Sequence, residues 1–294
     1  HLVEETISRR YRLHDLLATY AAELAGPTDD ARTRLFDYYL HTAKAAANFI
    51  FPRDPHSQVV TSPPIRSYEA AVRWLDIERA NLIRVACDHS GHTTDFSAVL
   101  IWYLDIGCHL DDGQRLHTQA LAAARHHGDV AAQGIALRAL GLIHFRRDRF
   151  AEAEQNLVAA LALHEASGIS YAETMTCLGA LYGFAGPVEA AIRHLRKSAD
   201  LLKKLDRPLL AQWALMHLGL LLHRRCGRHE MALACLREVF SMAEEHNYPP
   251  AQAHAAYGLA GLHRDTGRCA DALDYAGLAL SFADKAGFTF LKGL

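Results

Sequence analysis

The chain has 294 residues, of which 50% are hydrophobic and 22% charged, and its formal net charge is −2 with histidine neutral. This balance excludes a strong basic field that would draw the chain to nucleic acid or to an anionic membrane. The longest apolar run, residues 99–104, is too short to span a bilayer. Six scattered cysteines without a C-x-x-C pair predict reduced thiols and a cytoplasmic location, and the opening His1 indicates a piece of a longer protein.

Three helices are predicted before the main part of the chain. Apolar residues recur at helical spacing over residues 11–25, and Gly26-Pro27 ends that helix. A second helix fits residues 30–51. Four prolines and little apolar pattern predict a loop over 52–67, and helical periodicity returns over 68–89. Because no alternating strand pattern is found, we expect an all-α chain.

From residue 94 onward a small residue recurs at a long, regular interval. Leu-Gly pairs, and finally a Leu-Ala pair, recur at intervals of 38, 40 and 41 residues: Leu140-Gly141, Leu178-Gly179, Leu218-Gly219 and Leu259-Ala260. About twelve residues after each pair comes an alanine: Ala153, Ala191, Ala232 and Ala272. This pattern is typical of tetratricopeptide repeats, in which a small residue lets two helices of a hairpin cross closely.

One such hairpin cannot cover its own apolar face, so neighbouring hairpins must stack. The sequence therefore predicts an all-α tetratricopeptide-repeat α-solenoid, a right-handed superhelix of helical hairpins preceded by a small helical region. Repeat units are predicted to start near residues 94, 134, 172, 212 and 253. The first unit is the weakest, with Ile101 at the small position, and a further unit would start at Phe288.

Three segments in order carry a family resemblance: RYRLHDLLATYAAEL at 10–24, RLFDYYLHTA at 34–43 and WLDIERANL at 74–82. With the repeats, they resemble the C-terminal half of AfsR-type regulators, the large streptomycete antibiotic regulatory proteins, and their relatives among the STAND ATPases. In that family an effector domain precedes a nucleotide-binding domain, a winged helix and tetratricopeptide repeats. The resemblance implies a winged-helix tail over 1–25, a helical linker over 26–93 with its Pro-rich loop, and about five hairpins over 94–294.

The resemblance also implies a nucleotide-sensing pair. His14 and Asp15 correspond to the His-Asp of the MHD motif, whose His contacts the β-phosphate of ADP, and Leu13 stands in place of Met. A plainer alternative is that the pair only starts and caps a helix. Since the sequence contains no G-x-x-x-x-G-K-[ST], we expect no cofactor in this piece, with ATP or ADP held by an upstream domain.

Catalytic and metal-binding patterns are weak. The best local metal-ligand set is His223, Cys226, His229 and Cys235, but it lacks the paired cysteines of a zinc knuckle and falls at an interhelical turn. No nucleophile elbow or complete H-E-x-x-H motif occurs. We therefore expect neither a metal site nor an enzyme.

The concave surface is the predicted partner site, because the first helix of each hairpin supplies it and aromatic and Arg side chains favour recognition. Its predicted residues are Trp102, Arg138, Phe145, Arg146, Phe184, Trp213, Met216, His223, Arg224, His254, Tyr257 and Arg264, with Asp105, Leu142, Glu173 and Asp265 beside them. The alternative is that about half of them pack between repeats, since a one-residue error in register exchanges inner for buried positions.

Arginines also recur at the hairpin tips. They are Arg146, Arg147, Arg149, Arg224, Arg225, Arg228, Arg264 and Arg268. Stacked repeats would align them along one edge of the solenoid, either as a solvated edge or as a contact strip for an acidic partner or for another domain of the same protein.

The predicted function is a non-enzymatic sensor and autoregulatory module of a STAND-type transcriptional regulator of secondary metabolism. Its expected partners are a protein or a small effector in the concave groove and the regulator's own nucleotide-binding domain, without membrane or direct nucleic-acid contact. The alternative is a self-standing tetratricopeptide scaffold for protein–protein interaction.

Overall fold

The computed structural model describes residues 3–7, 10–13, 15–24, 29–52, 65–88 and 92–286. It divides into two compact units, residues 1–40 and residues 41–294. His14, most of the predicted Pro-rich loop and the further unit expected at Phe288 lie outside the described residues.

The N-terminal unit begins with a two-stranded hairpin that the sequence pattern did not reveal. Strands β1 (Val3–Ile7) and β2 (Arg10–Leu13) pair antiparallel, with Glu4 opposite Arg12. Helix α1 (Asp15–Leu24) follows, so the helix predicted from residue 11 in fact begins at Asp15. Strands of five and four residues are too short to show a clear alternation in the sequence.

The next two helices agree with their predictions to within one residue. Helix α2 spans Asp29–Ile50 and helix α3 spans Tyr68–Asp88. Ala43, Ala46 and Ile50 on α2 are buried, as are Leu75 and Leu82 on α3. Their apolar faces are therefore part of a packed interior.

Five helical hairpins follow, as the repeat interval predicted. They are α4 (Thr93–Ile106) with α5 (Leu110–His126), α6 (Val130–Arg146) with α7 (Phe150–Leu163), α8 (Ile169–Ala185) with α9 (Val188–Lys204), α10 (Pro208–Arg224) with α11 (His229–Glu245), and α12 (Pro249–Asp265) with α13 (Cys269–Ala286). The all-α tetratricopeptide solenoid is confirmed, since the hairpin β1–β2 is the only sheet in the described residues.

The hairpins start up to four residues earlier than predicted. Helix α6 begins after Asp129, whose Oδ1 accepts a hydrogen bond from the amide of Ala132 at 2.9 Å. Helices α10 and α12 begin at Pro208 and Pro249, where a missing N–H costs nothing. These capping signals, rather than the small residues used for alignment, fix the first turn of these three repeats.

The recurring glycines mark the closest approach of the two helices in a hairpin. A Cβ added at Gly141, Gly179 or Gly219 would lie 2.7, 2.6 or 2.9 Å from the Cγ of a leucine on the second helix. Those leucines are Leu157, Leu195 and Leu236, each four residues after the recurring alanine. The leucine rather than the alanine therefore fills the space beside the glycine.

A buried histidine bridges the first hairpin. His117 on α5 is buried, and its Nδ1 lies 2.8 Å from the Oγ of Ser97 on α4. Burial lowers the pKa of His117 from 6.5 to about 3. The ring is therefore neutral in the folded protein throughout the physiological pH range.

We expect His117 to make the protein less stable in mild acid. Below pH 6.5 the unfolded chain protonates this histidine while the folded chain does not, so the free energy of unfolding falls by about 1.4 kcal/mol per pH unit. Urea unfolding at pH 7 and pH 5 measures the effect. His117→Gln keeps a hydrogen-bonding partner for Ser97 and should lose this part of the pH dependence; identical pH dependence in both proteins would contradict the assignment.

Candidate functional site

The structure separates the predicted groove residues by burial. Arg138, Met216 and His223 are buried, Trp102, Phe145, Trp213 and His254 are half-buried, and Arg146, Phe184, Arg224, Tyr257 and Arg264 are exposed. The prediction therefore mixed surface positions with packing positions, as the uncertain register implied.

Two of the predicted groove residues face the interior. Arg138 is 1% exposed, and its Nη1 donates to Glu173 Oε2 at 2.6 Å. Met216 packs in a buried cluster with Leu215 and Val239. Their assignment to the partner surface is wrong. The helices start earlier than the alignment assumed, so both residues lie on the helix face that packs against neighbouring repeats.

An open groove lies at the last two hairpins, with a volume of about 870 Å³. We call it the C-terminal groove; it is lined by residues of α10, α12 and α13. Four predicted residues meet there: His223, Arg224, Tyr257 and Arg264. Its apolar wall was missed, because it comes from Leu273 and Leu280 on a second helix, where the repeat rule places no groove residue. Leu273 is 75% exposed.

A charged cluster closes one side of the C-terminal groove. The carboxylate of Asp265 accepts hydrogen bonds from Arg264 Nε at 2.8 Å and lies 3.1 Å from His223 Nε2. The hydrogen bond from Arg264 holds the pKa of Asp265 below its usual value, and burial lowers the pKa of His223. An apolar wall with a fixed polar edge suits an amphipathic segment or ligand.

The weak metal-ligand set does not assemble around one point. His223 Nδ1 lies 3.4 Å from His229 Nδ1, while the other nitrogen of His223 faces Asp265. Within the part of the chain that the structure describes, no group of three or more His, Cys, Asp or Glu side chains is placed to hold an ion. That the protein binds no metal stays a prediction.

A second feature lies where the first helices of distant repeats meet, and we call it the tryptophan cleft. The ring of Phe51 stacks between Trp102 on α4 and Trp213 on α10, at centroid distances of 4.4 and 5.3 Å. The ring centroid of His254 on α12 lies 5.7 Å from that of Trp213. Two predicted groove residues therefore come together through Phe51, which the sequence pattern placed only at a helix end.

The tryptophan cleft is not filled completely. A cavity of about 190 Å³ adjoins Phe51 and is lined by Lys44, Asn48, Val99 and Trp102 among others. The indole Nε1 of Trp102 is buried and has no hydrogen-bond partner among the described residues. The cleft thus keeps spare volume and an unused donor beside the ring that occupies it.

Two further predicted residues form an aromatic cluster at the hairpin tips. Phe145, Phe150 and Phe184 lie with ring centroids 5.6 to 6.2 Å apart. Phe184 is 66% exposed, so this cluster also presents an apolar surface to solvent.

Several tip arginines bind the preceding hairpin rather than a partner. Arg146 donates to both oxygens of Asp105 at 2.9 and 2.8 Å. Arg147 pairs with Asp111, and Arg225 donates to the carbonyl of Gly183 at 3.1 Å near the end of α8. These arginines join successive hairpins. Arg149 and Arg228 are exposed tip positions.

No helix in the described ranges is long and apolar enough to cross a lipid bilayer.

Comparison with known proteins agrees with this architecture. A tetratricopeptide-repeat family model matches residues 135–167. The regulatory protein AfsR of Streptomyces griseus is 30% identical over 182 residues, which cover 55% of this chain and 18% of that protein. The chain thus spans less than a fifth of the length of the curated relative that it matches.

Solved structures share the fold at low sequence identity. A STAND protein with a tetratricopeptide repeat sensor from Pyrococcus horikoshii matches with a TM-score of 0.62, 15% identity and coverage of 99% of this chain and 39% of that one. A Rap protein complexed with Competence and Sporulation Factor matches with a TM-score of 0.65 and 12% identity, over 94% of this chain and 72% of that one. Aspartyl phosphate phosphatase F from Bacillus subtilis matches with a TM-score of 0.57 and 18% identity, over 95% of this chain and 73% of that one.

These matches confirm the resemblance drawn from the sequence. The chain is similar over 182 residues to part of AfsR, one tetratricopeptide repeat is matched by its family model, and the solved structures share its fold.

Proposed function

We propose that this chain is the non-enzymatic sensor and autoregulatory module of a STAND-type transcriptional regulator of secondary metabolism, acting in the cytoplasm. The AfsR similarity and the fold of a STAND tetratricopeptide sensor support this context. The observation that carries the proposal is the C-terminal groove. It joins an exposed apolar wall to a cluster of Arg, His and Asp side chains, a combination that suits recognition.

Such a module acts by holding two arrangements of the regulator in balance. A protein or small effector in the C-terminal groove changes that balance only if it binds the active arrangement more tightly than the resting one. In this proposal, contact of the C-terminal groove with the regulator's own nucleotide-binding domain maintains the resting arrangement, and the effector or partner protein displaces that domain. In the same proposal, ATP or ADP binds in that domain and the repeats bind no cofactor.

The first residues support a winged-helix tail. A β-hairpin followed at once by a helix that begins at Asp15 is the order expected of a wing and its next helix. On the family resemblance, we also propose that His14 and Asp15 sense the nucleotide phosphate in the intact regulator. His14 itself lies outside the described residues.

A free-standing interaction scaffold is the second candidate, because AfsR is matched over only 18% of its length. The two candidates differ in what the gene encodes before His1. A P-loop and Walker motifs in that reading frame support the regulator, and their absence there favours the scaffold.

Binding to the P-loop domain encoded upstream, produced as a separate polypeptide, tests the groove. We expect Arg224→Ala and Tyr257→Ala each to weaken binding by about 30-fold, since buried Arg and aromatic anchors typically contribute about 2 kcal/mol at an interface. Isothermal titration calorimetry measures the affinity, and circular dichroism checks that the helices are intact.

Arg196→Ala is the control, because Arg196 is an exposed residue of the second helix α9. If the groove variants bind normally while Arg149→Ala and Arg228→Ala abolish binding, the tip arginines form the contact surface instead, and the partner presents an acidic face.

A further inference from the structure

The tryptophan cleft is occupied by a residue from outside the repeats. Phe51 follows α2, its amide donates to Ala47 O at 2.9 Å, and the ring is only 5% exposed. Pro52 comes next and cannot continue the helix. The phenylalanine is therefore the last side chain of a helix end that reaches the first helices of the solenoid.

The walls of the cleft come from hairpins that are remote in sequence. Trp102 lies on the first helix of the first hairpin and Trp213 on the first helix of the fourth, and each indole stacks on the ring of Phe51. Two indoles that each stack on one phenyl ring can accept any flat apolar ring of similar size, because stacking depends on the π-face and not on the rest of the side chain.

Two further contacts hold this helix end. Tyr248 donates its hydroxyl to the carbonyl of Ile50 at 2.9 Å, and Phe51 shares a buried cluster with Leu210 and Ala211. Neither contact engages the Nε1 of Trp102 or fills the adjoining cavity of about 190 Å³. An occupant that brought a ring together with a hydrogen-bond acceptor would satisfy the indole donor that Phe51 leaves unused.

We propose that the tryptophan cleft is a binding site for a phenylalanine side chain and an adjacent carbonyl on a peptide segment of a partner protein, and that Phe51 occupies this site in cis until that segment displaces it. The inference rests on the proposed function as an interaction module and identifies a second partner site, separate from the C-terminal groove. While Phe51 occupies the cleft, the partner segment cannot bind. The apparent affinity for that segment is therefore the intrinsic affinity multiplied by the fraction of molecules in which the cleft is vacant.

The pentapeptide acetyl-Asn-Phe-Ile-Phe-Pro-amide, which copies residues 48–52, is a direct probe. The chain has three tryptophans and the peptide has none, and two of the three flank Phe51, so intrinsic fluorescence reports the cleft. We expect the peptide to bind Phe51→Ala at least tenfold more tightly than the wild type. A peptide with its second phenylalanine replaced by alanine should bind neither protein, and Phe51→Ala with Trp213→Ala should lose binding.

An engineered cavity alone could bind an aromatic ring, so the wild type must also respond. At saturating peptide, amide hydrogen exchange at Phe51 should accelerate at least tenfold, because displacement breaks its hydrogen bond to Ala47. Phe184→Ala removes an exposed ring from a different cluster and should leave both measurements unchanged. If Phe51→Ala loses its helical signal, Phe51→Leu keeps the apolar volume without the ring and should bind the peptide more tightly than wild type.

Equal affinities of wild type and the Phe51 variant, or unchanged exchange at Phe51 under saturating peptide, would overturn the proposal and leave Phe51 as a core residue. That result would leave the proposed function standing, because the Arg224→Ala and Tyr257→Ala variants test the C-terminal groove with a different partner. Conversely, if those two variants bind the P-loop domain normally, the C-terminal groove is not its binding site. The result with the pentapeptide at the tryptophan cleft is unaffected.

Discussion

Gly179→Leu is expected to destabilise the solenoid by about 3 kcal/mol or more, since inserting carbon atoms into a packed helix crossing forces side chains and backbone apart. At Gly179 even the first added carbon would lie 2.6 Å from Leu195 Cγ and 3.3 Å from the backbone nitrogen of Leu195. The leucine is 1% exposed, so it has no free space into which to retreat. Thermal and urea unfolding followed by circular dichroism measure the loss.

A smaller pair of variants isolates the steric effect from helix propensity. Gly183 lies on the same helix, and a Cβ there would meet Leu221 only at 3.7 Å, an ordinary contact. Gly183→Ala should therefore stabilise α8 by about 0.5–1 kcal/mol, while Gly179→Ala should destabilise it despite the same gain in propensity. Changes of the same sign at both positions would mean that the helices do not cross at Gly179.

This crossing shows why the repeats were predictable. Close packing requires a glycine at positions 141, 179 and 219, so the sequence shows a glycine at a nearly constant interval. Helix ends were less accurate because local caps set them. With Asp129 as cap and with Pro208 and Pro249 as first residues, these three helices begin four residues before the starts predicted from the small residues.

The candidate sites were harder to predict, because they depend on which residues meet in space. Trp102 and Trp213 were placed on the inner surface by their positions in the repeat, but no pattern connects them with Phe51 on a segment outside the repeats. The wall of the C-terminal groove was missed for a related reason. Leu273 lies on a second helix, and its exposure depends on what packs beside α13.

Arg138 illustrates the opposite error, since a charged residue on a first helix was taken for a surface residue. Its partner Glu173 lies on the first helix of the next hairpin, and the two side chains are buried together. Charged residues are seldom fully buried unless they are paired, and this partner lies 35 residues away in the sequence. A charged residue at this position therefore indicates a residue of opposite charge on the first helix of the next repeat.

Removing one member of this pair should have the second large effect. Glu173→Ala leaves the guanidinium of Arg138 buried without its carboxylate, and breaking a buried ion pair in this way costs about 3–5 kcal/mol. Arg138 Nε already has no hydrogen-bond partner among the described residues, so the loss cannot be absorbed by an existing second contact at that atom. Urea unfolding of the two proteins at pH 7 measures the difference.

An exposed ion pair of similar topology provides the control. Lys203 on α9 and Glu238 on α11 also join neighbouring hairpins, but both side chains are more than a third exposed. Glu238→Ala should therefore change the free energy of unfolding by less than about 1 kcal/mol. If Glu173→Ala costs no more than Glu238→Ala, the Arg138–Glu173 pair is not desolvated as the structure shows.

The double variant Arg138→Met with Glu173→Leu separates the value of the pair from the cost of breaking it. Apolar residues of similar volume remove both charges, and such replacements are often neutral or stabilising. We expect this protein to recover most of the stability lost in Glu173→Ala. Recovery would mean that the pair adds little net stability beyond what apolar packing at the same two positions supplies, and that the loss in Glu173→Ala comes from the uncompensated buried charge of Arg138.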